Sequence, residues 1–501
     1  MNFNKLVTLG LFFLSLNTFA QDLKLATDTL ITTQHQIKTQ NKTFSYTAEV
    51  GMLPVYDSEG KALASLHYTY YYKNIGKKGK QEKQNRPLLI SFNGGPGSAS
   101  AWMHLAFTGP KLLQIDDEGY PIQPYGIKDN PYTLLDIADI VYVNPVNTGY
   151  SRIIKTKDAS PNRDLFFGIN ADINYLADWL NTFVTRKNKW TAPKYLIGES
   201  YGGTRVSGLA YALQQKQWMY LNGVILVSPA DYLSFESDTP LSNALFLPYY
   251  TATAWYHNQL PASLQEKKLE ELLPVVEDYA MQNLLPALAM GNSLSKNKKD
   301  AIAQQLANFT GIDKEEFLAY ELALPSQVFW KKLLKDQPEL SVGRLDSRYK
   351  GLDKYTAGER PDYNSELIAW LQAFTPAINY YMQEELQFKT NYKYNMFGPV
   401  HPWDRNNNQT REQLRKAMAQ NPYLHVLYQT GIYDGATTYF HSKYSMRQLD
   451  PSGNLKDRIE FKTYLSGHMM YLREQDLIQS TQDLREFIIK TSTPKKAAKY
   501  D

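Results

Sequence analysis

The 501-residue chain contains no cysteine. That excludes disulfides, thiolate metal sites, iron–sulfur ligation and a cysteine nucleophile together. It leaves the redox compartment open, because a chain without thiols also suits an oxidising one. A large charge of one sign is missing as well: 54 basic against 50 acidic residues give a net +4, too balanced for a chain that neutralises many phosphates. Nucleic acid is therefore not an expected partner. Histidine is scarce, with eight scattered residues and no His-Glu-x-x-His pattern, so no metal site is expected. No nucleotide fingerprint stands out, no cofactor is expected, and no repeat has the period of a solenoid or propeller.

Apolar runs are short. The longest candidate lies at the start, where Lys5 precedes an apolar stretch from Leu6 to Leu16, and Thr18 and Ala20 sit just before Gln21. Eleven residues fall short of the roughly 20 that span a bilayer. Residues 1–20 therefore read as a secretory signal peptide, implying an exported protein, periplasmic or secreted, with no membrane span in the mature chain. The alternative is an N-terminal anchor. The whole chain is 43% hydrophobic and 13% aromatic, led by 37 tyrosines, a composition that excludes a disordered chain. At roughly 150 residues per domain the length suggests about three domains.

Along the chain, Lys42 to Lys73 alternates around the turn cluster Asp57-Ser58-Glu59-Gly60 and reads as a β-hairpin. The basic run at residues 74–86 reads as a solvated loop. A repeated pattern follows: a short apolar run, a glycine, proline or small polar turn, then a segment of helical period. Leu88 to Phe92, Ala138 to Val143, Lys194 to Ile197 and Val224 to Val227 are the strands so read. Such alternation implies α/β architecture with a mostly parallel sheet and its chemistry at the carboxyl ends of strands. From about Asp231 to Met396 strands give way to helical segments, with Ser263 to Met290, Lys296 to Ala307 and Asp313 to Leu322 the clearest; Asp313 with Glu316 forms a plausible helix start. Leu424 to Tyr428 and Ile459 to Tyr464 resume the strand pattern, and Glu474 to Ile489 closes it. The three-domain prior thus falls to one core, 21–230 and 397–490, interrupted by a helical cap at 231–396, with a flexible tail at 491–501.

Gly198-Glu199-Ser200-Tyr201-Gly202 fits Gly-x-Ser-x-Gly, between a strand and a helix. A serine on so tight a turn needs small neighbours, and the turn projects its hydroxyl. A hydroxyl is a poor nucleophile at neutral pH, so a histidine base and an orienting carboxylate are required. His35, His67, His257 and His401 lie in an N-terminal segment, the hairpin and the cap region; His104 and His441 lie on helices and His425 inside a strand. His468 follows a strand and a Ser466-Gly467 turn and is the best base. Asp434 follows the strand that starts at Leu424 and is the expected acid. The chain order Ser200, Asp434, His468 is that of α/β-hydrolases. Asn93-Gly94-Gly95-Pro96-Gly97 adds a loop whose backbone can approach a developing oxyanion, with the N–H groups of Gly95 and Tyr201 as donors. A phosphate-cradling loop is disfavoured, since Pro96 lacks an N–H and no lysine-serine or lysine-threonine pair follows.

Together, Asn93 to Gly97, Asn130-Pro131-Tyr132, Pro145-Val146 with Thr148 to Ser151, Gly198 to Gly202, Asp434 and Gly467-His468-Met469 resemble the serine carboxypeptidases, peptidase family S10. That resemblance implies an α/β-hydrolase fold with an inserted cap and the triad Ser200, Asp434 and His468. It further implies an oxyanion hole from Gly95 and Tyr201, and a pair, Asn93 and Glu199, that holds the C-terminal carboxylate of peptide or small-protein substrates. The chain departs from the family at Ser91, usually tryptophan, at Phe107, usually a second glutamate, at Ile432, usually aspartate, and in lacking cysteine. A glutamate donates to a carboxylate only when protonated, so an acidic preference is expected. The rival readings are a serine esterase or other peptidase with the same triad, and a non-catalytic binding protein on this fold.

Overall fold

The computed structural model describes residues 27–40, 42–76, 79–154, 162–230, 238–494 and 496–498; the predicted signal segment lies outside them. One large sheet runs, edge to edge, Leu30–Lys38, Thr43–Tyr56, Ala62–Lys73, Asp139–Val143, Leu88–Phe92, Lys194–Glu199, Gly223–Val227, His425–Gly431 and Ile459–Tyr464, with Arg152–Ile153 added beside Ala62–Lys73. The first four pair antiparallel. Every pairing from Asp139–Val143 to the far edge is parallel. The central strands LLISF, DIVYV and GVILV are buried at every residue, as expected where helices cover both faces of a parallel sheet. The predicted hairpin is present, its turn closed by Asp57, whose carboxylate accepts the N–H groups of Glu59 and Lys61.

Several local readings differ from the structure. Leu30–Lys38 is an edge strand that sequence alternation does not reveal, because its Thr, Gln and His residues are polar on both faces. Within the basic run, Lys80–Asn85 is a short helix rather than loop, consistent with the helix propensity of lysine, glutamate and glutamine. Ser263 to Met290 is not one helix but Ala262–Gln265, Leu269–Tyr279, a π turn at Ala280–Leu284 and Leu285–Met290. Pro286 supplies the reason for the widened turn, since it lacks the N–H that an α ladder needs. Asp313 precedes the helix Lys314–Ala319 but makes no capping bond, and its carboxylate pairs with Lys335 at 2.5 Å. The closing helix extends to Ser492; Thr491 is buried and hydrogen-bonded to the Tyr195 hydroxyl at 2.8 Å, so the tail begins later than expected.

The segment between Gly223–Val227 and His425–Gly431 is largely helical, including Pro240–Tyr256, Ser326–Lys332 and Ser365–Tyr380. It also holds a hairpin absent from the sequence reading, Leu340–Val342 with Lys350–Leu352. Three residues per strand are too few for a periodicity signal. The buried apolar residues form two clusters against the sheet and a third among the inserted helices, which also takes in Ile432, Tyr433, Tyr439 and Phe440. Ile432 thus packs into that third cluster, and the hairpin reaches the same loop through its connection.

Candidate active site

Lys194–Glu199 ends at Ser200, and the helix Tyr201–Lys216 begins at the next residue. Ser200 has φ 57° and ψ −126°, a strained region for a residue with a side chain. The turn tolerates no bulk: a Cβ on Gly198 would stand 2.1 Å from the Gly202 carbonyl oxygen. Arg205, one turn into the helix, is fully buried and pairs with Asp172 at 2.7 Å. Its guanidinium also donates to the carbonyls of Asn93 at 2.7 Å and Pro96 at 3.3 Å. The helix that follows Ser200 therefore clamps the glycine-rich loop, in which Gly95 adopts φ +105°. As a first-turn N–H, that of Tyr201 has no acceptor within its helix.

Asp434 and His468 follow the strands His425–Gly431 and Ile459–Tyr464 and meet, with Nδ1 of His468 2.7 Å from Oδ2 of Asp434. The Asp434 carboxylate also accepts the N–H groups of Ala436 and Thr437 and the Thr437 hydroxyl, at 2.8, 3.1 and 2.7 Å. Burial pulls the His468 imidazole toward neutrality, but the Asp434 carboxylate and Glu199 outweigh it and hold its pKa above the usual 6.5. Ser200, His468, Gly94, Gly95 and Glu199 line one pocket of about 200 Å³, walled by Trp102, Trp370 and Phe397.

Glu199 is buried beside Ser200. Its Oε1 accepts from Asn93 Nδ2 at 2.8 Å and its Oε2 from the Tyr471 hydroxyl. Burial raises its pKa above the ordinary 4.5, against the opposing pull of His468 and these donors. Phe107 lies face to face with Tyr471, ring centroids 4.8 Å apart. Ser91 is buried, its hydroxyl without a hydrogen-bond partner among the described residues.

Several of the other histidines have structural partners. His104 stacks on Tyr142 and lies 2.6 Å from the Tyr71 hydroxyl, and His441 lies 2.7 Å from Thr438 Oγ1. His67 bonds to Asn144, while burial lowers His425 to a pKa of about 4.

Three groups escaped the sequence reading. Thr437 and Tyr471 each stand three residues after a predicted site residue, a spacing that carries meaning only once the loops are folded. The third is the hairpin connection from 343 to 349. Gly435 N–H donates to the Arg344 carbonyl at 2.9 Å, His468 N–H to the Leu345 carbonyl at 2.6 Å, and Gly467 N–H to Asp346 Oδ2 at 3.2 Å. Asp346 is itself held by Arg348 at 2.7 Å. An inserted segment thus fastens both the loop that carries Asp434 and the loop that carries His468.

With that geometry in view, the comparisons are specific. A family model described as serine carboxypeptidase matches residues 39–466. The lysosomal protective protein of Mus musculus is 28% identical over 216 residues, covering 41% of this chain and 39% of that protein. Serine carboxypeptidase-like 40 of Arabidopsis thaliana is 27% identical over 180 residues, 35% of this chain and 32% of that protein. These alignments span only about a third to two fifths of the curated relatives. A prohormone-processing carboxypeptidase from Saccharomyces cerevisiae aligns in structure with a TM-score of 0.51 at 14% identity, over 89% of this chain and 91% of that one. That likeness shows the fold, which is the α/β-hydrolase fold.

Proposed function

The chain belongs to the serine carboxypeptidase family, and from that premise we propose that it is an exported serine-type carboxypeptidase that removes C-terminal residues from peptides. The observation that carries the reading is that His468, held 2.7 Å from Asp434, lines the same small pocket as Ser200 and Glu199, the last bonded to Asn93. Export rests on the segment at 1–20, and the inserted residues 231–396 are assigned as the cap.

In the proposed reaction, Ser200 Oγ attacks the scissile carbonyl carbon while His468 takes its proton. The Gly95 and Tyr201 N–H groups stabilise the oxyanion, each such donor being worth about 3 kcal/mol. Collapse breaks the C–N bond, and His468 returns the proton to the leaving amine. Water, deprotonated by His468, then attacks the Ser200 ester; the peptide acid leaves and the serine is restored. Asp434 holds the imidazole in the tautomer this requires.

Asn93 and Glu199 are assigned to the departing residue's carboxylate. Only protonated Glu199 can donate to it, and two facing carboxylates repel. The raised pKa of Glu199 therefore supports better exopeptidase selectivity in acid, while the raised pKa of His468 limits the rate there by protonating the base. With Phe107 where a second glutamate is usual, discrimination against amidated peptides is expected to be weaker than in the family.

A fluorophosphonate probe combined with a blocked dipeptide, a short ester and a free-amine amide tests this reading. Labelling of wild-type but not Ser200→Ala protein, with cleavage of the blocked dipeptide, is expected. Cleavage of the ester or the free-amine amide alone would favour the esterase or aminopeptidase reading. Failure to label folded protein would favour a binding protein.

A further inference from the structure

Beside the pocket that holds Ser200 lies a second, larger cavity of about 740 Å³. Gly435 and Ala436 of the acid loop form one wall, and Phe246 and Trp330 of the inserted helices another. Arg344 lines both cavities and Arg360 lines the larger one. Neither guanidinium has a hydrogen bond or ion pair among the described residues. The one carboxylate on the larger cavity's wall, Asp362, accepts the backbone N–H of Lys354 at 2.8 Å. Among the described residues, two unpaired cations thus share this cavity's lining with one anion.

Arg344 is also held in place. Its carbonyl accepts from Gly435, and the next residue, Leu345, donates its N–H to the buried carboxylate of Glu366 at 2.8 Å while its carbonyl receives the N–H of His468. Its backbone is therefore fixed relative to the triad, and its charge reaches His468, whose basicity it lowers.

We infer that the larger cavity receives the acyl side of the substrate, and that Arg344 and Arg360 select peptides with a carboxylate side chain one or two residues upstream of the scissile bond. This rests on the reading above, in which the smaller pocket takes the single departing residue next to Glu199. A volume of about 200 Å³ suits one residue, whereas the remainder of a peptide needs the larger space. Acidic side chains would meet unpaired guanidinium groups, which match a carboxylate in fork geometry. Basic side chains would meet two like charges.

The test uses matched peptides that end in the same residue and differ only in having Glu, Gln or Lys at the two positions before it. Wild-type protein is expected to give a kcat/KM for Glu above Gln by up to about fivefold, the scale of one ion pair at a partly open site, and Lys below Gln. The ratio should shrink between about 20 mM and 500 mM salt as screening grows. Arg344→Glu is expected to reverse the order toward Lys, and Arg360→Gln to lower the Glu/Gln ratio. If Arg344→Glu does not fold, Arg360→Gln and the salt series still decide the matter. A Glu/Gln ratio at or below one in wild-type protein overturns the inference. So does an Arg344→Glu variant that slows every free-acid peptide equally, because Arg344 would then serve the terminal carboxylate. If no peptide loses a C-terminal residue, the carboxypeptidase reading has failed instead. Hydrolysis of N-acyl-glutamate and N-acyl-glutamine esters then measures the same acyl-side ratio.

Discussion

The Tyr471 hydroxyl donates to the Glu199 carboxylate, on the oxygen that Asn93 leaves open. Glu199 therefore meets a hydrogen-bond donor at each oxygen, and its proton affinity reflects burial set against two stabilising contacts. Replacing Tyr471 by phenylalanine removes one contact that favours the ionised form, so the Glu199 pKa rises further. In Tyr471→Phe, the pH at which free-acid peptides lose their advantage over amidated ones is expected to move upward. A pH series of kcat/KM on both peptides reads this, and a shift downward would contradict it.

His468, the proposed base, obeys the opposite rule. Only neutral His468 accepts the Ser200 proton, and its pKa lies above 6.5 because of Asp434 and Glu199. Ester hydrolysis, which needs no carboxylate recognition, should lose rate as pH falls through that raised value. Asp434→Asn should cut kcat by about four orders of magnitude, the scale seen when an imidazole is left in the wrong tautomer. An ester profile flat from pH 5 to 8 would show that His468 is not the base.

Ser200→Ala is expected to lower turnover about a million-fold with little effect on stability. Parallel kinetics and thermal melts separate the two effects.

The Arg205–Asp172 pair, fully buried on both sides, supports the turn from below. Arg205→Met leaves Asp172 buried without its partner, and a loss of about 3–5 kcal/mol in unfolding free energy is expected. Asp172→Asn in the same chain should recover part of it. Urea unfolding of the three variants provides the comparison. Near-additive losses would argue against the pairing.

The turn at Ser200 was legible in the sequence because its constraints are local: Gly198 and Gly202 approach so closely that no side chain fits between them. Asp434 and His468 were legible because both follow apolar strands, and the strand order does the rest. Contacts made across long separations were not. Tyr471 and Glu199 are 272 residues apart and Gly467 and Asp346 121 apart; neither pair leaves a periodic trace. The hairpin Leu340–Val342 with Lys350–Leu352 was missed for its brevity, yet its connection is what fastens the loops of Asp434 and His468. Leu30–Lys38 was missed because its inward face sets the polar Thr33 and His35 between Ile31 and Ile37, which hides the alternation from the sequence.

The central claim is that Ser200 cuts peptides one residue at a time from the C-terminus. A mass-spectrometric time course of one decapeptide and its C-terminally amidated twin tests it directly, with wild-type and Ser200→Ala protein. Stepwise loss of single C-terminal residues, faster from the free acid and absent in Ser200→Ala, is the expected result. Internal fragments, loss from the N-terminus, or the same ladder from Ser200→Ala would contradict it.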